Sequence, residues 1–146
     1  MASHRPESSG FADVIAAARE LQFRDDLRVH EIPAPSALAP DAFALAADIR
    51  PDGGAASEHG TGRLVLLHDA DEPEAWDGPW RIVCFAQAPL EPEIGTDPLV
   101  AEVAWSWLVD ALDSRGAEYH AISGTSTKTL STGFGGLAAD GDGAQI

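Results

Sequence analysis

The chain has 146 residues with 45% hydrophobic content, the commonest size for one domain and enough apolar surface for one core without disulfides or a structural metal. Cys84 is the only cysteine, so an intrachain disulfide and a thiolate zinc cluster are both excluded, and no apolar run is long enough for a membrane span. The formal net charge of −15, from 24 acidic against 9 basic residues, weakens direct nucleic-acid binding, opposes docking on anionic membranes and favours basic protein partners.

Met1 to Gly10 lacks the apolar stretch of a secretory signal and reads as a polar, disordered lead-in to a single domain spanning 11–146; cytoplasm is the simplest compartment. Phe11 to Phe23 is periodic, with Phe11, Val14, Ile15, Ala18 and Leu21 at helical spacing. Leu27 to Ile32 alternates as a weak strand that Pro33 and Pro35 close. Pro40 suits the first turn of a short helix, with Phe43, Leu45, Ala46 and Ile49 as candidate core contacts.

Arg50 to Gly62 is rich in turn formers and reads as a loop. The apolar runs Arg63 to His68 and Trp80 to Ala88 predict a hairpin across the acidic connection Asp69 to Pro79. Pro98 to Arg115 predicts the main helix, capped by Thr96 or Asp97 and stopped by Gly116. Val100, Val103, Ala104, Trp107, Leu108, Ala111 and Leu112 share its apolar face, with Trp107 expected in the core and Trp105 at the flank. Tyr119 to Leu130 reads as extended, with Thr125, Thr127 and Thr129 on one face. Strands that neighbour one another as hairpins predict an α+β fold, a mainly antiparallel sheet with helices packed on one face.

Several stretches in order carry a likeness: Glu31-Ile32-Pro33-Ala34-Pro35, Thr61-Gly62-Arg63 through Leu67-His68-Asp69, and Leu90-Glu91-Pro92-Glu93. Asp97-Pro98-Leu99, Val103 to Leu108 and Ser123-Gly124-Thr125 complete it. Together they resemble a family found in actinobacteria and catalogued as domain of unknown function 3000. The resemblance implies no catalytic residues. Its members are often encoded beside an exonuclease similar to ribonuclease D, which implies a link to RNA processing through association. Similar proteins continue with another strand, so the likeness also implies that a C-terminal strand is missing after Gln145-Ile146, leaving an unpaired sheet edge.

Candidate reaction centres each fall short on residue chemistry. His68, Asp69 and Asp71 are the nearest approach to a metal set, and with nearby carboxylates they are the basis of an alternative reading as a small phosphoesterase-like hydrolase. Asp69-x-Asp71 opens like a calcium loop, but Glu74 stands at position six where glycine is needed and Trp80 at position twelve where glutamate is needed. His30, His59 and His120 fall in weak or irregular contexts and read as surface or loop histidines, as does His68. Cys84, between Val83 and Phe85, reads as a small hydrophobe rather than a nucleophile. Ser123 to Lys128 lacks the second glycine of both the P-loop and the nucleophile elbow. Glu91 and Glu93 read as connector carboxylates before the main helix rather than an acid–base dyad. No cofactor is called for.

The tryptophans remain. Trp76 and Trp80 bracket Asp77-Gly78-Pro79, and Trp105 flanks the long helix. Partly exposed aromatics are enriched at interfaces. The sequence therefore points to a non-enzymatic module that works by protein contact or self-association, with Trp76, Trp80 and Trp105 as interface candidates.

Overall fold

Nine residues from Asp41 to Ile49 decide the architecture. Alanine-rich and preceded by Pro40, they favour a helix by propensity, yet in the computed structural model they form a central strand. The model describes residues 6–50, 59–140 and 142–146. Paired on both sides, the Asp41–Ile49 strand satisfies its backbone groups through two ladders, and that tertiary gain overrides local preference. The short helix expected here is thus corrected.

The order along the chain is α1 (Pro6–Arg19), β1 (Leu27–Ile32), β2 (Asp41–Ile49), β3 (Thr61–His68), a 3₁₀ turn at Glu74–Trp76, and β4 (Trp80–Gln87). Then come β5 (Pro89–Leu90), α2 (Pro92–Gly95), α3 (Val100–Ser114), β6 (Thr129–Thr132), a second 3₁₀ turn at Gly135–Asp140, and β7 (Asp142–Gln145). One antiparallel sheet runs β1-β2-β3-β4 and a smaller one runs β5-β7-β6. The fold is α+β. By contacts the chain divides into two units, Met1–Ala86 and Gln87–Ile146.

In the first unit α1 starts at Pro6, five residues ahead of its expected apolar start, and ends at Arg19 rather than running to Phe23. Its exit tightens into i−3 bonds, Glu20 N–H to Ala17 and Leu21 N–H to Ala18, before the chain turns into β1. Leu27 pairs with Ile49 and Ile32 with Ala44, while Asp41 pairs with His68 and Asp48 with Thr61. This register puts Phe43, Leu45, Leu66 and His68 on the same sheet face, because opposed residues share a side. Phe43, Ala44, Leu66 and Leu67 are the buried centre of this sheet. The predicted β3–β4 hairpin forms, closed at its end by Asp69 N–H donating to the Pro79 carbonyl at 2.9 Å. Of the predicted loop between Arg50 and Gly62, residues 51–58 lie outside the described residues, and the strand resumes at Thr61.

In the second unit the main helix appears as α3, but its N-cap is Leu99 and no side chain bonds the cap. Asp97 instead accepts from the Leu99 N–H, one turn earlier. Its far end is as expected: Gly116 adopts φ +67°, its N–H reaches Asp113 and the Ala117 N–H reaches Leu112. That is the paired-bond helix stop in which glycine occupies a left-handed position at little steric cost. The extended reading of Tyr119 to Leu130 is corrected, since only Thr129–Thr132 is a strand and Thr125 and Thr127 lie outside it. Threonine favours strands only where a neighbour supplies a ladder, and here β7 pairs with Thr129 to Thr132 alone. The β7 strand itself is one the sequence reading did not place; it joins β5 to β6.

Candidate functional site

His68 is the residue whose placement differs most from expectation. It is 3% exposed, a core histidine rather than a surface one. The antiparallel register sets it opposite Asp41, and its Nδ1 hydrogen-bonds Asp41 Oδ2 at 3.0 Å. Its ring lies 4.4 Å from that of Trp80 and 6.0 Å from that of Phe11, which α1 brings over the sheet. Phe11, His68 and Trp80 therefore form one aromatic stack that fastens the helix to β3 and β4. A ring held this way satisfies a buried polar group and packs a core. The sequence carries a signal for this, since His68 ends an apolar run, but its pairing with Asp41 depends on a register that no single segment shows.

Asp69 and Asp71 do not join His68 as ligands. The Asp69 side chain accepts from the Asp71 N–H at 3.0 Å, an Asx turn that starts the acidic connection. Among the described residues no group of three or more His, Cys, Asp or Glu side chains is placed to hold a metal ion. Glu91 is the N-cap of α2 and Glu93 lies in its first turn, both exposed. Cys84 is exposed on β4, yet the protein mass around it disfavours the thiolate and pushes its pKa up, the wrong direction for a nucleophile.

The three interface tryptophans are placed unequally. Trp76 ends the 3₁₀ turn of the acidic connection and is half-buried. Trp80 is partly exposed while one part of it joins the His68 stack. Trp105 is also partly exposed and lies over Gly124, where a Cβ would stand only 2.5 Å from its ring. Gly124 thus leaves room for the indole. Trp107, expected in the core, is 70% exposed, and Val103 and Leu108 on the same helix are exposed with it. The strands of this unit pack on α2, whose Gly95 sits against Ala144, while Val100, Ala104 and Leu112 of the α3 stripe are half-buried. Trp107 is the aromatic that sequence reasoning placed wrongly, because periodicity identifies an apolar stripe without showing what covers it.

Charge is arranged locally as pairs. Arg19 donates two hydrogen bonds to Glu31, at 3.0 and 2.8 Å, and its guanidinium lies 5.8 Å over the Phe43 ring. This bidentate contact holds the Glu31 carboxyl below its usual range. Arg24 grips Asp26 in the same two-pronged way, at 2.9 and 3.0 Å. Arg28 stands opposite Asp48 in the β1–β2 register, but the Asp48 carboxylate is held by Arg50 at 2.6 Å.

Residues 7–146 match the family model described as "Protein of unknown function (DUF3000)", and the chain belongs to that family. No curated protein and no solved structure matches it.

Proposed function

Taking that family membership as the premise, we propose that the protein is a non-enzymatic accessory module that acts by protein contact. The observation that carries this reading is the set of large apolar side chains left in solvent, Trp107 at 70%, Ile82 at 62% and Phe85 at 60% exposed, on a chain of net charge −15. Scattered exposed hydrophobics are ordinary, but several tryptophans and a run of neighbours on one strand are what interfaces use. The hydrolase reading loses support from the same geometry, because His68 is taken up by Asp41 and an aromatic stack.

The link to RNA processing would then be carried by the partner, and an exonuclease similar to ribonuclease D is the first to try. Affinity capture with the intact chain should retain a partner at moderate salt. Trp105→Ala, Trp107→Ser or Trp76→Ala should weaken retention by about tenfold or more where the residue is an interface anchor. Capture that no tryptophan change affects would remove the reading.

A further inference from the structure

Resting on that contact reading, we propose that the outer edge of β4 is a strand-addition site for an extended apolar segment with a basic C-terminal flank. Among the described residues the sheet order ends at β4. Pro79 directs its carbonyl to Asp69, and the Phe85 carbonyl lies 3.3 Å from where a Gly62 Cβ would stand. Both belong to the odd residues, so in a regular antiparallel ladder the even residues Trp80, Ile82, Cys84 and Ala86 direct their N–H and C=O groups away from β3.

The opposite edge is guarded. There β1 carries Arg28, His30 and Glu31, and Glu31 is bound by Arg19. β4 has one charged residue, Arg81, and no acid. Charged side chains are the usual protection of an edge strand, and a single one on an exposed, largely apolar eight-residue strand leaves it open as a pairing surface.

Charge selects the occupant. The connection returning to Trp80 carries Asp69, Asp71, Glu72, Glu74 and Asp77, and no basic residue between 69 and 79. A segment added antiparallel, as β1–β2 and β2–β3 run, brings its C-terminal end beside that connection. Lysine or arginine there meets carboxylates. A second copy of this chain fits worse: its own β4 is followed by Ala88-Pro89-Leu90-Glu91-Pro92-Glu93, which would set like charges together.

The test uses the full chain and a synthetic peptide of alternating threonine and valine ending in several arginines, followed by fluorescence anisotropy. Saturable binding is expected, about tenfold weaker when the arginines become glutamates. Methylating the peptide's backbone nitrogens in one alternate frame should abolish binding, and in the other frame should leave it, because only one frame faces β4. Cys84→Pro removes an outward N–H without touching the β3 ladder and should also abolish binding. Equal binding of both methylated frames, or of both tails, overturns the proposal, as does a peptide that never saturates. The peptide comparison needs no altered protein, so misfolding of Cys84→Pro leaves the proposal testable. Tryptophan-dependent capture that persists beside a silent peptide overturns the edge site alone.

Discussion

At the scale of single residues, the first unit is held by paired side chains, although one buried oxygen, Asp48 Oδ1, has no hydrogen-bond partner among the described residues. His68 shows how a residue type with many catalytic uses becomes structural once its surroundings are known: a carboxylate orients it, two rings cover it, and burial removes it from solvent. Glu31 offers a measurable counterpart. Its folded-state pKa is depressed, so the stability it contributes is fully present above the ordinary glutamate value and is lost as pH falls through the folded value. Urea midpoints of the wild type and Glu31→Gln should therefore differ at neutral pH and converge below the glutamate range. A gap that stays constant into strong acid would show that Glu31 acts by packing alone.

At the scale of elements, α1 and α3 differ in what their apolar stripes meet. The α1 helix is tied to the sheet at both ends, by Phe11 on His68 and Trp80 and by Arg19 on Glu31 and Phe43. By contrast, α3 is well terminated and sparsely covered. Its stop depends on Gly116 at φ +67°, where a side chain would meet open space but would hold a left-handed backbone. Gly116→Ala should lose about 1 kcal/mol in stability, because the penalty is one of backbone conformation. Gly136→Ala, where a Cβ also meets open space and no left-handed angle is required, should cost less. Denaturant melts of both variants, followed by circular dichroism, make the comparison. Equal losses would mean that the helix stop contributes nothing special.

At the scale of the whole molecule, charge is the basis for the partners proposed. With 24 acidic residues against 9 basic ones, the chain carries a net charge that opposes phosphate, and Arg24 is already gripped by Asp26. A labelled single-stranded RNA should show no saturable binding at physiological salt, measured by anisotropy, and only weak binding at low salt that disappears as salt is added. Saturation at physiological salt would overturn the charge argument and point to a basic surface around Arg24 and Arg28. None of the described helices is long and apolar enough to cross a membrane.

Local chemistry made a good part of this protein legible from its sequence. The alternating strand before Pro33, the two apolar runs around the acidic connection, the main helix with its glycine stop and the α+β class all follow from patterns only a few residues long. What only the tertiary structure decided is whatever depends on a distant partner. Asp41 to Ile49 became a strand because two neighbours offered ladders, His68 became a core residue opposite Asp41, and Trp107 stayed 70% exposed on a stripe whose periodicity placed it in the core. Propensity and periodicity are properties of a segment, whereas burial belongs to a pair of surfaces, and one segment read alone contains half of that information.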